Sequence, residues 1–324
     1  MMTVQEATDL IRKKKKLFIA GDEALLASLP QGAWIGGTIP YFMTELGGMF
    51  TQELLQVMQL PDFVLAANVQ FYDVDEMERI PADYQTNGFA YVVLPAFSEA
   101  HLRFAQECPN WPGVFDRPLV GWVAGIDLKD AGKVAPKVFN GQSGESSSTK
   151  VAVMHVNLPP ELFAKASIVN IFHPGQGEII TFPTAGFEAS ECSINGKTLN
   201  LAEYLEAEKI DTHLPLVADY MGAMVNVSFQ SVDARAGKVT FYAPVFPGVQ
   251  YKIAEPVSDY AAEFDKKLSA RNPRPVCTCN CILNYLYARL EGKKTGEIVG
   301  PITFGEIAYM LLNQTLVYLT FEQR

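Results

Sequence analysis

Phe187-Glu188-Ala189-Ser190-Glu191-Cys192-Ser193-Ile194-Asn195-Gly196-Lys197-Thr198-Leu199 runs directly into Asn200 to Lys209, NLAEYLEAEK. The first eight residues read as a strand. Asn195-Gly196 then reads as a tight hairpin turn, because both central residues of a type I′ turn need positive φ. A helix over 199–209 follows. The same grammar extends outward in both directions. Residues 168–172 and 178–182 read as strands, and 224–230, 238–245 and 249–253 form a meander joined by Asp233 to Gly237 and by Pro247-Gly248. Towards the N-terminus, 63–71, 89–94, 118–124 and 151–156 are rich in β-branched or aromatic residues and bounded by Pro, Gly, Asp or Asn, with a helix over 99–108 between them. Towards the C-terminus, Ser258 caps a helix to Ala270, 276–281 is extended, and 298–304 and 315–321 are strands. Connections this short suit antiparallel neighbours. The fold class is therefore α+β: mixed or antiparallel sheets covered by helices, and not a doubly wound parallel sheet.

A chain of 324 residues is long for one domain and fits two. Residues 34–42 weakly echo 298–307, which suits two related halves packed together, 1–165 and 166–324. The polar stretch 141–150, GQSGESSSTK, reads as an exposed loop within the first half. Net charge is −10, which repels a phosphate backbone, so no nucleic-acid partner is expected. The basic run Arg12 to Lys16 reads as a helix end, since Thr3 and Glu6 form a capping-box pattern and the helix dipole favours cations in the last turn. Only four apolar residues, 17–20, follow it, and no stretch reaches the roughly 18 needed to span a bilayer. The five cysteines are odd in number, and three alternate along one extended segment where a disulfide between neighbours is hard to close. These features together suggest a cytoplasmic protein with no membrane partner.

Cys277, Cys279 and Cys281 share one face of a strand, about 7 Å apart. Three readings stand open: packed inert thiols, a reactive thiol, or a metal site that would need a bend or ligands from elsewhere. Cys281, just before a helix over 282–290, has the best position for activation. His101, His155, His173 and His213 fall in no metal-binding spacing, and no phosphate loop or nucleophile elbow is present, so neither a metal nor a cofactor is expected. His173 sits in the Gly-rich turn HPGQG. Glu306 interrupts an apolar segment; if buried, it needs partners, and a ligand ammonium would be one.

Several stretches, in this order, resemble the FIST sensory-domain family. In the first half these are Ile35-Gly36-Gly37-Thr38-Ile39-Pro40-Tyr41 and Pro118 to Gly125, although Tyr41-Phe42 stands where the family pattern has Gly-Glu. In the second half they are Glu191 to Leu199 with Tyr204-Leu205, Leu214-Pro215-Leu216, Gly237 to Val249, Val276 to Cys281, Gly300 to Ile307 and Asn313 to Leu316. The resemblance spans about 17–321 with gaps. It implies a sensory module that binds a small molecule, amino acids being the usual class, here without its own output domain. A signal would then pass to a separate signalling protein or through a homo-oligomer. The ligand-binding residues it points to are Gly37, Thr38, Cys279, Asn280, Cys281, Thr303, Phe304, Gly305 and Glu306, with no catalytic residue assigned. The alternative is a thiol-dependent enzyme using one of Cys277, Cys279 or Cys281, so enzymatic activity is left open.

Overall fold

Asn195 and Gly196 adopt φ of 46° and 83°, and the turn they make pairs Ile194 with Lys197, so the hairpin forms as its residues dictate. The computed structural model describes every residue except 221 and 272. It is an α+β protein of mixed and antiparallel sheets with a few short helices.

The chain divides into two compact units. The second comprises 170–260 and 312–315. Every pairing between its named strands is antiparallel, in a six-stranded sheet from Lys197–Asn200 to Ala223–Val227 and a three-stranded sheet around Lys238–Val245. Helix Leu201–Ala207, capped by the Asn200 side chain on Glu203 N, lays Leu201 and Leu205 on a core that includes Phe182, Phe229, Phe241 and Tyr251. Residues 312–315 are tied in by polar groups: Asn226 Nδ2 donates to Asn313 O (3.1 Å), and Ser228 Oγ donates to Gln314 Oε1 (2.7 Å).

The first unit comprises 1–169, 261–311 and 316–324. These units correct the division into consecutive halves 1–165 and 166–324. The C-terminal segment returns to the first unit because its strands find partners there: Glu306 lies opposite Trp122, and Gly300 opposite Met43. Three parallel pairs sit inside its mixed sheets: Leu17–Gly21 with Trp34–Thr38, Gly88–Pro95 with Leu119–Ala124, and Cys277–Cys281 with Gly300–Thr303. Leu17–Gly21 is buried at all five positions, so it shows no in/out alternation. The stretch 141–150 is only partly a loop, since Glu145–Ser147 pairs with Val138–Asn140. Gln142 and Asn140 bond the backbone of Ala67 and Val69, covering the edge of the Ala66–Tyr72 strand. Helix Val4–Arg12 has the full capping box on Thr3, and Lys15 beyond it pairs with Asp62 at 2.7 Å.

Candidate functional site

The nine residues singled out from sequence all fall in the first unit; 279–281 and 303–306 come together there, while Gly37 and Thr38 end a strand of a different sheet. Asn280 and Cys281 lie beside Ile302 and Thr303 in parallel register. The Thr303 hydroxyl is within 3.3 Å of Asn280 O, 3.1 Å of Gly305 O and 3.4 Å of Glu306 Oε1. Gly305 O accepts from Val123 N (2.9 Å), and Phe304 N donates to Val123 O (3.0 Å). Cys279 Sγ donates to Gly121 O at 3.3 Å. What forms there is interior. Thr303 and Glu306 are 0% exposed, and Cys279, Asn280 and Cys281 at most 4%. A Cβ on Gly37 would come within 2.9 Å of Val93 and Trp122, and one on Gly125 within 2.3 Å of the half-buried Phe304 ring, so both glycines serve close packing. The gap bounded by Asn280, Thr278, Thr295 and Met43 has no room for water.

Of the nine, Thr38 lines open space, a cavity of about 400 Å³. Its floor is the carboxyl ends of three strands, at Gly21, Thr38 and Gly125. Ile39 N donates to Gly21 O (3.0 Å), and Gly125 N donates to Thr38 O (2.7 Å), which fixes the three ends together. One wall is the short helix Glu23–Ala27, capped by Asp22, which accepts from Ala24 N at 2.9 Å. The opposite wall is the loop 126–135, which contributes Ile126, Asp127, Asp130, Val134 and Ala135. Among the described residues four carboxylates line the cavity, Asp22, Glu23, Asp127 and Asp130, and no Lys or Arg does. Glu23 is paired with Lys137 Nζ at 2.5 Å, and Asp22 accepts from Gln52 at 3.4 Å. Asp127 accepts from Lys129 N (3.1 Å) and Tyr41 OH (3.3 Å). Burial raises the Tyr41 phenol above its ordinary value, and the charge of Asp127 adds to this while a hydrogen bond from Leu128 N opposes it.

The cysteines are free and buried. Burial pushes the Cys277 and Cys279 thiols well up, and the nearby Glu306 charge raises Cys279 further. That is opposite to the cationic surroundings that activate a thiol. His155 is buried, with Nε2 2.7 Å from Tyr72 OH, which also donates towards Asp83 Oδ2 at 2.8 Å. Burial holds its pKa down at about 4 against the pull of Asp83. His173 is exposed, and its carbonyl accepts from Glu255 N. Among the described residues, no group of three or more His, Cys, Asp or Glu is arranged to hold a metal ion.

Sequence reasoning passed over Asp127, Asp130 and Gln52, and Asp22 has a sufficient local role as a cap. The available signal was a repeated junction: Ala20-Gly21-Asp22 and Ala124-Gly125-Ile126-Asp127 both end an apolar strand in glycine and then aspartate. No helix is long and apolar enough to cross a membrane among the described residues. No curated protein and no solved structure matches the chain. A family model does match, over residues 2–322, and the chain belongs to that family, a family of unknown function (DUF6976).

Proposed function

We propose that this chain is a cytoplasmic small-molecule-binding module whose ligand carries an ammonium group and sits in the acid-lined cavity. The observation that carries the reading is the cavity's lining. Its size of about 400 Å³ falls in the range typical of ligand sites, about 300–1,000 Å³. Apolar groups from Ala24, Ala27, Ile39, Ile126 and Val134 stand beside four carboxylates with no opposing cation in the lining. Such a surface attracts positive charge and can also bury a short aliphatic chain. Its place at the carboxyl ends of strands, two of them a parallel pair, matches where open α/β sheets bind ligands. The resemblance to FIST domains supports the same class, with amino acids and related amines as first candidates and a separate protein or a homo-oligomer as the receiver of the signal. Thiol chemistry draws no support from Cys277 and Cys279, which are buried with their thiols pushed up, and Cys281 is buried as well.

The test is thermal unfolding of the full chain with basic amino acids, neutral amino acids, diamines and small carboxylates at millimolar concentration. Binding that favours the native state raises the melting temperature, by about 2.7 kcal/mol of stability at one hundred times Kd. The reading requires amines to stabilise and carboxylates not to. A flat response to every amine at matched ionic strength overturns it.

A further inference from the structure

Thr38 makes four hydrogen bonds to two residues that are 12 apart in sequence. Its N donates to Lys137 O (2.9 Å) and its O accepts from Gly125 N (2.7 Å). Its hydroxyl donates to Gly125 O (2.8 Å) and accepts from Lys137 N (3.0 Å). One residue thus pins both ends of the loop 126–136. Between those ends the loop is bonded chiefly to itself. Asp130 N, Ala131 N, Lys133 N and Val134 N all donate to carbonyls of Asp127, Leu128 or Asp130, so the loop holds its own shape. Its contact with Tyr41 is confined to Asp127 and Leu128, next to the first pinned end. Residues 131–135 are exposed, and Gly132 adopts φ of +79°, open to solvent. A self-bonded loop with close ends, pinned at its stem and exposed at its tip, has the build of a flap that can turn about that stem.

We infer that residues 126–136 are a lid, hinged on Thr38, that closes over the cavity when a cationic ligand enters; this rests on the binding function proposed above. The charges supply the switch. The lid carries Asp127 and Asp130, and the facing helix wall carries Asp22 and Glu23. The carboxylates of the two walls face the same space, with Glu23 paired to Lys137 at the lid's own stem, while the lid's Lys129 and Lys133 are not among the described lining residues. A cation between the walls is attracted to both, and the attraction grows as they approach. It therefore binds the closed form better, which is the differential affinity that a ligand-driven closure requires.

Lys129 and Lys133 lie in the lid and are exposed, so trypsin reports its opening in the intact protein. Thr38→Val, which keeps the shape and removes the hydroxyl, is expected to speed cleavage after Lys133 about ten-fold, the factor lost with a net hydrogen bond or two. Thr38→Ser is expected to restore the wild-type rate, and cleavage in the N-terminal basic run gives the reference. Lysine or putrescine, at concentrations that raise the melting temperature, is expected to slow cleavage after Lys133 several-fold relative to sodium chloride of equal ionic strength. Equal cleavage of wild type and Thr38→Val overturns the hinge. So does a rate that rises equally in lid and reference, since that is global loosening. An amine that raises the melting temperature without protecting Lys133 overturns the lid and leaves the binding function standing. If no amine raises the melting temperature, the binding function falls and ligand-driven closure with it, while a selective effect of Thr38→Val still establishes the hinge.

Discussion

Two regions of the first unit are built from similar words and do opposite things. The strand Cys277–Cys281 with the turn at Gly305 and Glu306 is polar, glycine-flanked and buried, and so is the turn at Gly37 and Thr38. In the first region, hydroxyl, thiol and backbone groups converge on one another: Thr303 on Gly305 and Glu306, Cys279 on Gly121. In the second, the polar contacts of Thr38 go sideways to Gly125 and Lys137, and the space ahead of it stays open between two acidic walls. Buried polarity by itself therefore does not mark a ligand site. In the first region the groups are satisfied across the interior, and in the second around a space, which is the arrangement the proposed binding function needs.

The strongest way to break this contrast is to disturb the packed side. Gly121 lies opposite Val92 in the parallel pair, and a Cβ there would stand 1.8 Å from Val92 O. Gly121→Ala must part the two strands and displace the carbonyl that accepts from Cys279. The expected cost exceeds about 4 kcal/mol, a large share of a typical domain's stability, read as loss of soluble protein or of the urea transition. A substitution recovered with near-native stability would show that this interior is looser than its contacts indicate.

Acid is the next largest lever, and it also acts on interior groups. Burial lowers both His101 and His155 from 6.5 to about 4. The folded pKa lies below the unfolded one, so unfolding takes up protons between the two values. The stability these histidines contribute is complete above pH 6.5 and is lost as pH falls towards 4, by up to about 3 kcal/mol for each. Urea midpoints across that window should fall, and His155→Gln should flatten the fall. An unchanged midpoint would mean that neither ring is held neutral.

How much of this was legible in sequence depended on range. The Asn195-Gly196 hairpin and the Thr3 capping box were readable because each is decided by residues within a few positions. The strand Leu17–Gly21 was missed because it is buried on both faces, so it carries no alternation. The turn at Glu306 comes to the strand Cys277–Cys281, but whether the junction is filled depends on Trp122, Val93 and Phe304 arriving from other strands, which no local pattern shows. The cavity was hidden for a similar reason. Asp22 had a sufficient local role as a cap, and Asp127 and Asp130 sit in a segment with no periodicity, 105 or more positions away from it, so nothing local joined them.

A milder probe of the packed side is Thr303→Val. The variant keeps the shape and removes the proton that Asn280 O, Gly305 O and Glu306 Oε1 stand around. Leaving a buried acceptor unmet costs about 1–3 kcal/mol, which the urea midpoint measures. The response to amines should be unchanged, because Thr303 is not in the cavity lining. A selective loss of that response would instead move the ligand site back to the cysteine strand.

The smallest effect on stability, and the sharpest on function, is expected at the cavity. Asp130 is half-buried, and among the described residues its side chain has no ion pair or hydrogen bond. Asp130→Asn should therefore leave the urea midpoint within about 0.5 kcal/mol of wild type, as for a surface substitution that breaks no contact. It removes one of the four lining charges and half of the lid's share. If an ammonium group is drawn between the walls, the variant loses much of the stabilisation by amines and retains its fold. The two measurements then separate what Thr303→Val joins only weakly: stability without ligand response on one side, ligand response without stability on the other. An Asp130→Asn protein that is stabilised by amines as fully as wild type would place the attracting charge elsewhere, and the contrast between a filled junction and a working cavity would lose its second half.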